Sequence, residues 1–260
     1  MDSQLLIHEM AVPVSAERHG DWSLETATDF GFFANLNAIP LMTVEFFNAS
    51  SEYVIVFGDT DEGVMPFTLV GLQRGENRYL SASGVWQARY IPAFVRRYPF
   101  VYAVFDKAMS FALCVDESYP YFNDEGRGEP LFVQGKKPSP FLGRMLLFLE
   151  QHQLEFERTR DFCSTLQEFD LLEPMPSDLM APGGDAAGLR DLKVVNRDKA
   201  KSLASDKLSA LAQSDEFGLL QLHLHSLRNF PVLKPGSTGR SPLLEMPVSL
   251  TEGDLTGARI

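Results

Sequence analysis

The sequence predicts an α+β protein with a largely antiparallel sheet, one long helix and several short helices. Three observations lead to this fold class. Short apolar runs typical of strands are grouped between residues 53 and 116, a helical repeat of apolar residues extends from Phe141 to about Leu166, and shorter helical patterns mixed with strand-like runs follow. Strands grouped first, with helices later in the chain, favour an antiparallel sheet over alternating βαβ units.

The first third of the chain is predicted to begin with an arm and continue into strands. Residues 1–40 contain scattered turn formers and are predicted to be an irregular arm with one short strand. The YVIVF run at residues 53–57 is predicted to be a buried strand because it is rich in β-branched and aromatic residues. The runs FTLVGL (67–72) and RYLSAS (78–83) are predicted to pair as a hairpin across residues 74–77.

A short helix is predicted around two adjacent arginines. Pro92 fits the first turn of a helix, and Tyr98 precedes Pro99 and should therefore leave helical space. The helix then ends at Arg96 and Arg97, where cations complement the helix dipole.

The middle of the chain is predicted to contain a second hairpin, a loop and the longest helix. The apolar runs FVYAVFD and SFALCVD should form the hairpin, with their connection at Lys107–Ala108. Glycines and prolines make residues 118–140 a long loop, docked by a short strand at residues 131–133. Apolar residues then recur at spacings of three and four, and Ser139 is the predicted N-cap of this long helix.

Short elements are predicted to complete the domain. Residues 168–174 and 189–195 suit strands, residues 197–216 suit one or two short helices, and the alternating run FGLLQLHLHSL (217–227) suits a further strand. Turn formers fill the chain beyond residue 233. The predicted organisation is therefore an arm over residues 1–40, a domain over residues 41–233 and a flexible tail over residues 234–260.

Composition and charge restrict the classes of partner. The chain of 260 residues has 45% hydrophobic and 22% charged residues, which is typical of a globular protein. Its net charge of -12 argues against duplex DNA or an anionic membrane as the main partner. The sequence has no basic, uninterrupted apolar N-terminal segment and only two cysteines, Cys114 and Cys163, so a reducing cytoplasmic location is expected.

The segment from Gly71 to Phe100 combines arginine, aromatic residues and proline at high density. Trp86, Tyr90, Arg96, Arg97 and Tyr98 are the candidate ligand-binding residues, because arginine binds carboxylate or phosphate in a forked geometry and stacks on aromatic rings. The alternative is a helix end in which one arginine makes an internal ion pair and the aromatic side chains belong to the core.

Other residues are candidates for chemistry without matching a catalytic motif. His223 and His225 would share one face of the predicted strand and could bind one metal ion, whereas a polar face or a core histidine is the simpler interpretation. Cys114 and Asp116 would also share a strand face, and an unrecognised enzyme site could combine Arg96, Asp116 and His223. Walker A, GxGxxG and GxSxG patterns are absent, so no cofactor or metal is predicted.

Several segments together resemble the bacterial SapC family. They are GLQRGENRYL, WQARYIPAFVRRYPF, LCVDES, EPLFVQGKKPSPFL, FCSTLQEFDLLEP, DLKVVNRDKAKSL and GLLQLHLHSLRN, and they extend over roughly residues 40–233. Their order and spacing carry the resemblance, since none is a catalytic motif by itself.

The resemblance implies a soluble intracellular protein associated with uptake or modification systems. Related genes lie near TonB-dependent receptors, cupin-like hydroxylases and flavin-dependent halogenases. The absence of catalytic motifs and the density of arginine and aromatic residues lead us to expect an accessory protein that recognises a peptide or an acidic small molecule. The gene neighbourhood suggests a co-encoded hydroxylase or halogenase as its partner. The alternatives are an enzyme with an unrecognised site and an assembly factor for a surface layer.

Overall fold

The computed structural model describes residues 11–26, 29–104, 111–133, 136–176 and 191–234, and its fold is α+β, as predicted. The strands are β1 (Ala11–Pro13), β2 (Ser23–Leu24), β3 (Ala38–Pro40), β4 (Val54–Thr60), β5 (Gly63–Leu69), β6 (Phe100–Val104), β7 (Phe111–Asp116), β8 (Phe122–Asn123), β9 (Glu129–Pro130), β10 (Phe132–Val133), β11 (Lys137–Pro138), β12 (Leu172–Pro174) and β13 (Lys193–Val195). The helices are α1 (Phe46–Ala49), α2 (Ala93–Arg96), α3 (Pro140–Glu168), α4 (Arg197–Lys201), α5 (Ser205–Gln213), α6 (Glu216–Ser226) and α7 (Phe230–Leu233).

The largest sheet has five antiparallel strands in the order β12-β13-β4-β5-β3. At its centre β4 and β5 form a hairpin in which Val54 lies opposite Leu69 and Thr60 lies opposite Gly63. Gly63 has a φ of 100°, a conformation that glycine adopts at little cost, so it allows the tight reversal after β4. The YVIVF run is thus a buried strand, as predicted.

The predicted hairpin between FTLVGL and RYLSAS is wrong. The residues of β5 pair with β4 on one side and with β3 on the other. Both edges of β5 are therefore occupied. RYLSAS forms an isolated bridge between Leu80 and Trp86, and its link to FTLVGL is a hydrogen bond from the Arg78 amide to the Val70 carbonyl at 2.7 Å. The short turn between Thr60 and Gly63 pairs β4 with β5 along the whole length of both strands. The connection at residues 74–77, which was predicted to join the hairpin, is longer.

Three smaller sheets surround this one, with orders β1-β7-β6, β8-β2-β9 and β10-β11. The hairpin of β6 and β7 confirms the predicted pairing of FVYAVFD with SFALCVD, and its predicted connection lies outside the described residues. Residues 11–40 supply β1, β2 and β3 to three different sheets, so this part of the predicted arm is built into the domain. Strands of two or three residues are too short to produce a recognisable alternation.

Helix α3 is the longest element and follows its prediction closely. The Ser139 hydroxyl accepts a hydrogen bond from the Leu142 amide at 3.1 Å, which is the predicted N-cap. Toward its start α3 contributes Leu142 and Leu149 to a cluster with β6 and β7, and toward its end it contributes Phe162 and Leu166 to the main core. One helix therefore connects the two hydrophobic clusters.

The run FGLLQLHLHSL forms helix α6, not the predicted strand. Its buried residues Leu220, His223 and Ser226 recur every third position and face β4 and β13, where the Ser226 hydroxyl accepts the Ile55 amide at 3.0 Å. An apolar run of this length is longer than most strands. Its buried residues are three positions apart, which is a helical spacing, although the sequence also shows the alternation of apolar and polar residues that is typical of a strand. His223 and His225 consequently lie on different sides of the helix, with His223 buried and His225 exposed.

Asn229 joins the C-terminal helices to the segment that precedes β4. Its amide nitrogen donates to the backbone carbonyls of Ser50 at 2.9 Å and Tyr53 at 2.8 Å, and the side chain is buried. We predict that Asn229→Ala lowers the free energy of unfolding by about 2–4 kcal/mol, since two buried carbonyls lose their donor. Urea unfolding tests this, with the exposed Asn35→Ala as a control expected to change it by less than about 0.5 kcal/mol. Equal losses in the two variants would contradict the prediction.

Candidate functional site

Helix α2 places the two adjacent arginines in different environments. Pro92 is its N-cap, and Phe94 and Val95 are buried in the main core. Consecutive helical residues project about 100° apart, so the side chains at the end of α2 cannot share one environment. Arg96 is exposed, whereas Arg97 is only 1% exposed and its guanidinium lies 4.6 Å from the centroid of the Phe94 ring.

Arg96 is held at the wall of a surface cleft. Its Nε donates to the Ile91 carbonyl at 2.9 Å, and one terminal nitrogen lies 3.5 Å from the Tyr90 hydroxyl. The guanidinium carbon is 5.8 Å from the Tyr90 ring centroid and 5.3 Å from the Phe148 ring centroid, within the range of cation–π attraction. These contacts orient the guanidinium and use only part of its five donors.

A buried carboxylate supports the same wall. Glu45 Oε1 accepts hydrogen bonds from the Tyr90 hydroxyl at 2.8 Å and from the Ala93 amide at 2.7 Å, and Oε2 accepts the Met42 amide at 2.8 Å. Burial raises the pKa of Glu45, while these hydrogen bonds and the charge of Arg96 oppose that rise. The carboxylate therefore connects the segment before α1 to the start of α2.

His152 on α3 lies beside the same cleft with unused hydrogen-bonding capacity. The side chain is 8% exposed, and within the described part of the chain its buried Nε2 has no hydrogen-bond partner. Burial, and then the charges of Arg97 and Arg96, lower the pKa of His152 to about 3. The imidazole is therefore neutral near pH 7, with one donor and one acceptor nitrogen.

Two adjoining clefts result from this arrangement. The first, which we call the Arg96 cleft, has a volume of about 510 Å³, and Glu45, Tyr90, Arg96, Phe148, His152 and Leu154 are among its lining residues. The second, which we call the Arg197 cleft, has a volume of about 1010 Å³ between α1 and α6, and Phe47, Glu52, Arg89, Arg197, Leu222 and His225 are among its lining residues. Asn48 and Tyr90 line both clefts, so the two are neighbours on one face.

Three of the five predicted ligand-binding residues line neither cleft. Trp86 is buried in the main core and donates from Nε1 to the Tyr53 hydroxyl at 2.8 Å. Arg97 is buried against Phe94, as described above. Tyr98 packs its ring 5.0 Å from Tyr119, and its hydroxyl donates to Asp116 at 3.4 Å. Tyr90 and Arg96 are the two predicted residues that the structure brings together at a surface.

The structure does not bring together Arg96, Asp116 and His223. Asp116 is buried at the end of β7, where its Oδ1 accepts the Ser118 amide at 3.0 Å and the Ser118 hydroxyl at 2.6 Å. His223 is buried in α6, where its Nε2 accepts the Val195 amide at 3.0 Å. Burial lowers the pKa of His223 to about 3, against a small opposing effect of the Ile55 backbone. Neither side chain lines the Arg96 cleft.

The remaining candidates have structural surroundings. Burial raises the pKa of the Cys114 thiol, which disfavours the thiolate that a nucleophile requires. No group of three or more histidine, cysteine or acidic side chains in the described ranges is arranged to hold a metal ion. In the same ranges no helix combines the length and the apolar composition needed to cross a bilayer.

A comparison with known protein families shows which family the chain belongs to. The SapC family model matches residues 14–233, which is most of the sequence. The chain belongs to the SapC family. The match extends upstream of the segments that carried the resemblance and includes residues that form β2 and β3 in this SapC domain. No curated protein matches the chain, and no solved structure matches it either.

The Arg96 cleft is lined by residues that were not singled out from the sequence, among them Glu45, Phe148 and His152. Glu45 stands in the apolar segment LMTVEFFN, and an acidic residue in such surroundings is a sign of a buried carboxylate. His152 occupies a position of the apolar stripe of α3, and Phe148 lies one turn before it. The stripe was visible in the sequence, but its proximity to Arg96, whose guanidinium carbon lies 5.3 Å from the Phe148 ring centroid, depends on tertiary structure.

We predict that Glu45→Gln destabilises this SapC protein by about 1–3 kcal/mol, measured as the free energy of unfolding in urea. A glutamine oxygen can replace one carboxylate oxygen, but its amide group would then oppose the Met42 amide, donor against donor. The control is Glu155→Gln, because Glu155 makes a 2.7 Å ion pair with the exposed Arg158 at the rim of the Arg96 cleft. A loss in the control as large as in Glu45→Gln would refute the assigned role of the buried carboxylate.

A second prediction concerns the dependence of stability on pH. The pKa of His223 is about 3 in the folded protein, whereas that of a solvated histidine is 6.5, so the unfolded chain binds the proton more readily between these values. Its contribution to stability is complete above the unfolded pKa and is lost as the pH falls toward the folded pKa. Between about pH 7 and pH 5 this loss amounts to about 2 kcal/mol.

Urea unfolding at the two pH values should therefore show a weaker pH dependence for His223→Gln than for the natural protein. Groups that titrate in both proteins cancel in the comparison. The exposed His225→Gln should retain the natural pH dependence. If His223→Gln retains it as well, His223 is not neutral in the folded state.

Proposed function

We propose that this SapC-family protein is a non-catalytic binding protein that recognises the carboxylate of a peptide or of an acidic small molecule in the Arg96 cleft. The observation that carries the proposal is the position of the Arg96 guanidinium, which is held between the Tyr90 and Phe148 rings and uses only part of its donors there. An oriented guanidinium with spare donors suits a carboxylate.

The other walls suit a ligand with an apolar body. Val44 and Leu154 line the cleft and are exposed, and Phe148 offers a ring face. Arg158 at the rim is paired with Glu155, and the Glu45 carboxylate is occupied by three donors. Arg96 is therefore the cation in this cleft that is left for a ligand, and the neutral His152 adds no second charge to the wall.

The same groups favour binding over catalysis. The Glu45 oxygens are committed to Tyr90 and to two backbone amides, so they are not placed to take a proton from a ligand. A general acid or base works best with a pKa near the operating pH, whereas the pKa of His152 is about 3. Asp116 and His223 do not line the cleft, which favours binding over the alternative enzyme site.

The proposed setting is a cytoplasmic system for peptide modification or nutrient uptake. A co-encoded cupin-like hydroxylase or halogenase, which the family resemblance suggests, is the proposed partner. The free, buried thiols of Cys114 and Cys163 are consistent with a reducing compartment. Pull-down of these enzymes with the natural protein and with Arg96→Gln would test the partnership separately from the ligand.

The carboxylate site can be tested with N-acylated amino acids. We predict that N-benzoyl derivatives of glycine, leucine, phenylalanine or glutamate bind, that their uncharged amides bind at least about tenfold more weakly, and that Arg96→Gln causes a similar loss. Isothermal titration calorimetry measures both effects. Arg158→Gln removes the same charge from the rim of the cleft and should change the affinity by less than about threefold.

Two results would contradict this proposal. One is the absence of binding for the whole panel with the natural protein. The other is equal affinity for acids and amides, which would show that the carboxylate is not the recognised group.

A further inference from the structure

The most exposed large hydrophobic side chains of the described residues are grouped around the two clefts. Phe47 is 76% exposed, Leu154 is 64% exposed, and Val44 and Leu147 are each 61% exposed. Val44 and Leu154 line the Arg96 cleft, and Phe47 lines the Arg197 cleft. Leu147 lies two turns before Leu154 on α3. Single exposed hydrophobic residues are ordinary, whereas a group beside concave surfaces indicates an interaction site.

The Arg197 cleft is basic in a protein that is strongly acidic overall. Arg89 and Arg197 are exposed in this cleft and form no ion pair within the described ranges, and His225 lies there as well. Glu52 also lines the cleft, but it is buried and its Oε2 accepts the Arg89 amide at 2.7 Å. The chain as a whole has a net charge of -12, so the two arginines of this cleft are a local positive site that is complementary to an acidic ligand.

The two clefts adjoin through shared residues. Asn48 and Tyr90 line both, and the Tyr90 hydroxyl is fixed by Glu45 at 2.8 Å. Phe47 and Asn48 are consecutive residues of α1, with Val44 one turn earlier on the same segment. An extended chain that occupies one cleft can therefore continue along α1 into the other.

We propose that the two clefts form one groove for an acidic segment of a partner protein. The Arg96 cleft binds one carboxylate of the segment, Arg89 and Arg197 bind further aspartate or glutamate side chains, and apolar side chains of the segment pack on Phe47 and Leu154. The role of the Arg96 cleft in this groove depends on the proposed function, whereas the role of Arg89 and Arg197 stands on the second cleft. Exposed apolar residues at the rims favour a peptide over a nucleic acid as the occupant.

The test uses synthetic peptides of about twelve residues that all end in Phe-Gly. Their terminal carboxylate follows a glycine and an aromatic residue, so this end resembles N-benzoylglycine. Each acidic peptide carries a pair of glutamates at a different upstream position, and the reference peptide carries glutamine at all of them. We expect at least one acidic peptide to bind the natural protein about tenfold or more tighter than the reference in fluorescence anisotropy.

The double variant Arg89→Gln/Arg197→Gln should abolish this gain and leave the affinity for N-benzoylglycine unchanged. The matched control is Arg74→Gln/Arg228→Gln, which removes two exposed arginines that line neither cleft and should retain the gain. The control separates a local site from the effect of net charge.

The outcomes separate this inference from the proposed function. If N-benzoylglycine binds through Arg96 but no acidic peptide gains affinity through Arg89 and Arg197, the groove is refuted and the carboxylate site stands. If the acidic peptides bind through Arg89 and Arg197 while none of the N-benzoyl amino acids binds, the second cleft is supported and the proposed function fails. Binding of an oligothymidylate through Arg89 and Arg197, with no gain for acidic peptides, would refute a peptide occupant.

Discussion

The buried carboxylate of Glu45 is the interaction on which the rest of the site depends. A carboxylate removed from water is costly unless several donors surround it, and Glu45 receives three hydrogen bonds from Met42, Tyr90 and Ala93. Two of the donors are backbone amides that flank separate helices. Their positions are therefore coupled to one side chain, and the cleft wall is fixed by polar contacts within an otherwise apolar core.

This coupling explains how a short helix can present an arginine in a defined place. Helix α2 has only four residues, too few to be stable without tertiary contacts. Phe94 and Val95 bury one side of it, and the Ala93 amide at its start is bound by Glu45. Arg96 then emerges next to Tyr90, whose hydroxyl is bound by the same carboxylate. The adjacent Arg97 occupies the interior, so two identical neighbours have different roles, one at the surface and one in the packing.

Elements with a long or strongly patterned sequence were predictable, and those defined by tertiary pairing were not. The apolar stripe and Ser139 predicted α3, and dense β-branched residues predicted β4. The two- and three-residue strands of residues 11–40 exist because they pair with distant partners such as β7 and β5. For the same reason the spacing of leucines in α6 was compatible with a strand until its packing on β4 and β13 was known.

Only part of the site could be predicted, because the sequence shows which residues are close along the chain but not which distant residues the fold brings together. Local sequence placed Tyr90 and Arg96 near one another, since they flank the same short helix. Glu45 and His152 are far from them in sequence, and only the tertiary structure brings the segment before α1 and helix α3 to the same cleft as Tyr90 and Arg96. The sequence also could not show which of the adjacent residues Arg96 and Arg97 points inward. That distinction depends on the direction of α2 relative to the core.

The continuity of α3 has a consequence for the thermodynamics of binding. This helix of 29 residues is anchored in one hydrophobic cluster through Leu142 and Leu149 and in another through Phe162 and Leu166. Phe148 adjoins the first anchor, and His152 and Leu154 lie between the two, so one side of the Arg96 cleft is a segment of a helix that is secured at both ends. A ligand that enters meets a surface already in its final shape. The conformational entropy of that wall was lost during folding, and association does not have to supply it a second time.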